Sequence, residues 1–170
     1  MQALVTPLAQ RLEWSSPDSF GITYELKAQD AIVGRLTLSG VFAKSAEFEH
    51  AQGRWIFKGD PWGGNVEVLT AETNETVARY TSNTWSYGGT LALVGGPQLR
   101  FSTKQWQNDY RIEQEDGTVL VRYQMHGLWV PKATVDIMPE AQELPNLVWI
   151  VALGWYLTVH LAWRQSAIGF

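Results

Sequence analysis

A chain of 170 residues with 45% hydrophobic content has the size and composition of one globular domain with a sizeable core. Its mean hydropathy of -0.15 excludes a polytopic membrane protein. Net charge is -4, and the thirteen Lys and Arg are scattered singly from Arg11 through Lys132 to Arg164, so no basic run exists to hold a nucleic-acid backbone and none is expected as a partner.

Residues 1–14 have no basic leader and no long apolar run, so no secretory signal is expected there. The first period-two run is 20–27, where Phe20, Ile22, Tyr24 and Leu26 alternate with smaller or polar residues and predict a strand. Gln29 and Asp30 break it, and 32–38 follows as the second arm of a hairpin. Residues 54–58 predict a strand closed by Gly59, Asp60 and Pro61. Runs 66–69 and 76–80 flank a turn near Thr73 and Asn74. Run 90–94 ends at Gly95-Gly96-Pro97, and 98–102 resumes. Runs 110–113 and 119–123 flank Glu115-Asp116-Gly117, a strong turn signal. Run 133–137 is the last strand, stopped by Pro139. Roughly ten to twelve short strands at a spacing of about 8–12 residues predict an antiparallel sandwich or barrel. No internal repeat or linker divides the chain, so one domain over 1–170 is expected, with the strands in about 1–138.

Residues 144–163 contain no Asp, Glu, Lys or Arg. At helical spacing Leu147, Ile150, Val151, Leu153, Trp155, Leu157 and Leu161 leave no polar stripe, so a helix over 145–164 must be buried in protein or in lipid. Residues 143–146 supply its start, with Pro145 in the first turn. A barrel of about twelve strands needs something inside, because about eight already reach the width that side chains fill. A helix of about 17 residues spans roughly 25 Å, a match to a barrel's height. Gly154 and Ala152 would let the wall approach it closely on one side. The alternative is a tail anchor, with Trp149, Trp155 and Trp163 in an interface belt. Against it, Thr158 and His160 fall inside the span. The flanking charges also run against the positive-inside bias. Removing the helix would leave a wide sheet without a core.

Several segments resemble one family. They are Tyr24-Glu25-Leu26 with Asp30 and Val33-Gly34; residues 54–58; Gly88-Gly89-Thr90-Leu91; and Leu144-Pro145 followed by Leu153-Gly154-Trp155-Tyr156-Leu157. Together, over about 20–163, they resemble the tubby C-terminal-like superfamily, particularly the bacterial relatives of LURP-one-related proteins and phospholipid scramblases. The resemblance implies a closed antiparallel barrel of about twelve strands around a central, buried C-terminal helix. Tubby domains bind phosphoinositides through clustered basic residues on the barrel wall. Here the closest grouping is Lys44, Arg54 and Lys58, which a solvated face explains, so no salt-sensitive binding to phosphoinositide vesicles is expected under calcium-free conditions. Scramblases add calcium-binding acids beside the helix. Asp136, Glu140 and Glu143 lack the close alternation of a calcium loop and read as acids before a helix.

No catalytic residue, metal site or cofactor is expected. There is no cysteine, which removes disulfides and thiol chemistry and suits a reducing cytoplasm. His50, His126 and His160 have no metal-ligand spacing. Glu47, Glu49 and His50 read as an exposed strand edge or loop, and His160 as a satisfied core histidine near a barrel end. The pairs Gly63-Gly64, Gly88-Gly89 and Gly95-Gly96 lack the context of a phosphate loop and read as turns. Ser82, Ser86 and Ser102 sit in no nucleophile elbow. Of the nine tryptophans, Trp55, Trp106, Trp129, Trp149 and Trp155 read as core or wall fillers. Trp62, Trp85 and Tyr87 lie in turn-rich segments and form a candidate surface for a partner, a lipid interface or an apolar ligand, unless they fold back to cap the barrel. The expected role is a non-enzymatic binding or scaffold module in a bacterial cytoplasm. The alternative is a membrane-associated protein that uses the helix or the Trp-bearing loops. An enzyme with a site at a barrel mouth has no motif behind it.

Overall fold

The computed structural model describes residues 11–61, 63–83, 87–104, 108–127 and 130–168, with side chains through Arg164. Twelve strands follow in order: β1 (Arg11–Ser15), β2 (Thr23–Ala28), β3 (Ala31–Ser39), β4 (Ser45–His50), β5 (Gly53–Gly59), β6 (Val66–Thr70), β7 (Thr76–Ser82), β8 (Gly89–Leu93), β9 (Gln98–Lys104), β10 (Asp109–Gln114), β11 (Val119–His126) and β12 (Lys132–Ile137). Each pairs with the next, and β1 closes on β12 with Leu12 opposite Val135 and Trp14 opposite Ala133. Closure leaves no exposed strand edge. A helix, α1 (Leu147–Ile168), ends the described chain.

Period-two patterning decides which face turns inward. In β9, Leu99 and Phe101 are buried while Gln98 and Arg100 are exposed. In β12, Ala133, Val135 and Ile137 are buried. The lumen these faces enclose is filled by α1. Every residue from 147 through 159 is buried, among them Leu147, Ile150, Val151, Leu153, Gly154, Trp155 and Leu157, and Leu161 is buried beyond them. Rings from wall and helix interlock. Trp14 stacks on Trp155 at 6.0 Å, Tyr24 meets Trp155 edge-on at 5.5 Å, and Phe57 meets Tyr156 edge-on at 5.7 Å. Each large apolar side chain so buried contributes about 1.5–3 kcal/mol. The wall comes nearest at Gly154, where Tyr123 lies against the helix and its hydroxyl donates to the Val151 carbonyl at 2.7 Å.

Three expectations are corrected. The run 20–27 is a strand only from Thr23, and Phe20 and Ile22 stand 82% and 48% exposed. The Asp18 carboxylate is the cause: it accepts the backbone N–H groups of Phe20, Gly21 and Thr23 at 2.8, 2.8 and 3.0 Å and folds this stretch into a turn. Pro145 is not in the first helical turn. A 3-10 turn occupies Pro139–Glu143, Asn146 takes a left-handed φ of 72°, and α1 begins at Leu147. The helix is also longer than expected: its 22 residues run about 33 Å at roughly 1.5 Å each, so its end passes beyond the wall.

Alternating strand direction gives the barrel unlike ends. Residues 29–30, 51–52, 71–75, 94–97 and 115–118 make tight hairpins at one end. The odd-numbered strands finish and the even-numbered ones start at the other, where residues 16–22, 40–44, 63–65 and 87–88 lie. Since β12 finishes at the hairpin end, α1 enters there and points at the open end, the mouth.

Candidate functional site: the barrel mouth

Beside the last turns of α1 the mouth holds a cavity of about 680 Å³. Its floor is Val66, Tyr80 and Phe101 from β6, β7 and β9, and its side is Tyr156, Leu157, His160 and Leu161 of α1. Lys44, Asp60, Asn65, Asn83, Tyr87 and Arg164 stand around the opening. Connection 40–44 is drawn onto the helix. The Lys44 carbonyl accepts the Gly59 N–H at 2.8 Å and the Tyr156 hydroxyl. A side chain at Gly59 would collide with both partners, so the close approach needs glycine there. Phe42 and Ala43 take left-handed φ values of 57° and 54°, unusual for residues other than glycine.

His160 stands near a barrel end, as the sequence predicts, and a neutral ring there has one N–H for two neighbouring carbonyls. Its Nδ1 lies 3.0 Å from the Tyr156 carbonyl and its Nε2 2.8 Å from the Ala43 carbonyl. Burial lowers its pKa, the Ala43 carbonyl opposes that, and Lys44 adds to it. His50 departs from expectation. It is not at an exposed edge or loop, because β4 lies inside a closed wall and the alternation of Ala46, Phe48 and His50 turns its ring inward. Its Nδ1 accepts the Gln52 N–H at 3.0 Å, which puts the proton on Nε2, and burial lowers its pKa. Both rings therefore refuse protons that the unfolded chain takes up near the ordinary value of 6.5. Their stability contribution is full above that pH and declines below it, by up to about 1.4 kcal/mol per pH unit for each ring. Urea unfolding at about pH 7.5 and 5.5 should show the loss, and His50→Gln or His160→Gln should shrink it.

The other sequence-stated groups are dispersed. Glu47 faces outward and pairs with Arg54 at 3.0 Å, so Glu47, Glu49 and His50 do not converge. Lys58 sits on the outer wall opposite Glu67, whereas Lys44 belongs to the mouth, which splits that basic grouping. Asp136 pairs with Arg11 at 2.9 Å. Among the described residues no three His, Asp or Glu side chains could share a metal ion. Gly95 lies in a turn with φ 70°, but Gly88 and Gly89 do not: a Cβ there would strike the Phe101 and Thr81 carbonyls, so they are close strand contacts. Trp55 stacks on Phe48 at 6.0 Å, and Trp149 and Trp155 are fully buried, as wall and core fillers. Tyr87 lines the mouth, whereas Trp62, Trp85, Ser86, Trp106 and Trp129 lie outside the described residues.

Two features escaped the sequence reading. Asp109, fully buried on the outer face of β10, is clamped by Arg111 at 2.9 Å and by Arg122 at 3.1 Å. Burial pushes its carboxyl up, but the two guanidiniums outweigh that and hold it below the usual carboxylate range. The clamp ties β10 to β11 and is structural. The second feature is an apolar rim. Six large hydrophobic residues are exposed among those described, and Phe20, Ile22, Val41, Phe42 and Tyr87 are at the mouth, with Val94 alone at the hairpin end. The alternation of 20–27 places Phe20 and Ile22 on a strand face, and Val41 and Phe42 fall in no periodic run.

No protein-family model matches this chain, and no curated protein or solved structure matches it either.

Proposed function

We propose that the protein is a non-enzymatic binding module that takes a small ligand into the barrel mouth. The cavity carries this reading. At about 680 Å³ it has the volume of a small-molecule site, typically about 300–1,000 Å³, and like such sites it joins apolar walls to a few converging polar groups. The architecture also supports a distant kinship with tubby-like proteins, which we propose on the closed barrel and its central helix alone.

The apolar rim favours a second reading, contact with a lipid surface. In that reading α1 contributes little, because 78% of the apolar stretch Leu147–Arg164 is buried inside the barrel. Lipid contact then belongs to Phe20, Ile22, Val41, Phe42 and Tyr87, whose exposed area is of the kind that marks interaction sites.

The neutral apolar fluorophore N-phenyl-1-naphthylamine tests the first reading. It should bind the full chain saturably, one per protein. Leu157→Trp, which places an indole in the cavity, should abolish binding in a chain that still melts cooperatively. Absence of saturable binding to the native chain would refute the reading.

A further inference from the structure

We propose that the ligand of the mouth is a single-chain amphiphile with an anionic head, held by Lys44 and Arg164, with its chain lying over Leu157, Leu161 and Phe101; the proposal rests on the mouth being a binding site. Charge is the first argument. The cavity is lined by two cations, Lys44 and Arg164, and one carboxylate, Asp60, in a chain whose net charge is -4. A positive excess in an acidic protein is placed where it can attract an anion.

The second argument is the pairing of the arginines. Arg11, Arg35, Arg54, Arg79, Arg100, Arg111 and Arg122 each meet a carboxylate within 3.4 Å. Among the described residues Arg164 is the arginine with no such partner, and Lys44 forms no ion pair either. The two lie close enough to repel. Lys44 is half-buried, and its pKa is lowered by burial and then by Arg164, with Asp60 opposing. An anionic head between them would remove that repulsion. The backbone of Lys44 is anchored at the mouth, since its carbonyl is tied to Gly59 and Tyr156. The carboxyl end of α1 has the opposite partial charge, but that effect is confined to the last turn, and α1 continues past Arg164 to Ile168.

The third argument is the floor. Val66, Phe101, Leu157 and Leu161 line it with apolar side chains, for which a bare inorganic anion has no complementary group. An alkyl chain is such a group, and the volume of about 680 Å³ suits one small ligand.

Calorimetric titration of the full chain with four probes tests this: dodecanoate, dodecyl phosphate, dodecan-1-ol and inorganic phosphate. Dodecanoate and dodecyl phosphate should each bind at least about tenfold tighter than dodecan-1-ol, and the tighter of the two identifies the head. Shortening the chain should weaken binding by roughly fourfold per methylene. Lys44→Gln and Arg164→Gln should each weaken both anions at an unchanged melting temperature. The double variant should bring them to the affinity of dodecan-1-ol, and Arg164→Lys should restore part of the loss. Dodecan-1-ol binding as tightly as the anions would overturn the anionic head while leaving the mouth a binding site. Inorganic phosphate binding as tightly as dodecyl phosphate would overturn the role of the chain. No binding of any amphiphile by a protein that still binds the naphthylamine overturns this proposal alone. If the naphthylamine fails too, the binding reading falls with it.

Discussion

Val151→Asp and Leu153→Asp should each abolish cooperative folding and drive the chain into aggregates. Both side chains are fully buried in α1, with the barrel wall around them. Among the described residues the Lys and Arg of the strands lie on the outer face, in pairs such as Arg54 with Glu47 and Arg79 with Glu67, so none of them is placed to meet a new carboxylate in the lumen. Burying an unpaired ion costs several kcal/mol even after relaxation, against the roughly 5–15 kcal/mol that stabilises a whole domain. Ile150→Val separates charge from volume. It should cost about 0.5–1.5 kcal/mol and leave the melt cooperative. Differential scanning calorimetry in detergent-free buffer distinguishes the three variants. Aspartate variants that melt like the native chain would mean that α1 does not fill the barrel.

Gly154→Ala should destabilise the protein, with the opposite sign to the usual rule. Replacing a glycine in a helix interior by alanine ordinarily gains about 1 kcal/mol. Here the new Cβ would stand 2.5 Å from Cζ and 2.7 Å from Cε2 of Tyr123, with its hydroxyl nearer still. That ring is fully buried and anchored by its bond to the Val151 carbonyl, so it has nowhere to swing. Overpacking of this kind costs about 1–3 kcal/mol, occasionally more, and outweighs the propensity gain. Tyr123→Leu removes the obstructing ring atoms. In that background Gly154→Ala should recover the ordinary gain of up to about 1 kcal/mol, a coupling of about 0.5–3 kcal/mol in a double-mutant cycle followed by urea unfolding. A rise in stability on Gly154→Ala alone would show that β11 does not press on the helix.

The wall and its pillar were legible because each repeats one physical rule many times. Ten of the twelve strands announce themselves through alternation, and α1 through the absence of any polar stripe. The two strands that escaped show where the rule weakens. In β1 only Leu12 and Trp14 face inward with full burial, too few to make a pattern. In β4 the inward positions are Ala46, Phe48 and His50, so a small residue and a histidine stand where alternation looks for large apolar groups. Closure itself followed from a packing argument about width and not from any single segment. The mouth was not legible. Lys44 and Arg164 are far apart in the chain, and Asp60, Asn65, Asn83 and Tyr87 come from two further connections; only register and barrel curvature bring them to one opening. The Asp109 clamp likewise depends on Arg111 lying opposite Arg122, a register that no local pattern encodes. Of the aromatic surface proposed from the sequence, Tyr87 lines this opening, and it was recognised by its turn-rich surroundings and not by any partner it meets.

Truncation after Pro139 tests the central claim that α1 is the core of the barrel and one wall of its cavity. The shortened chain keeps all twelve strands and loses only the filler. It should expose the inward faces of Trp14, Tyr24, Phe48 and Phe57 together, and so lose its cooperative thermal transition and aggregate. A truncated chain that melts cooperatively near the full-length temperature would contradict the account, because the strands would then have a core of their own.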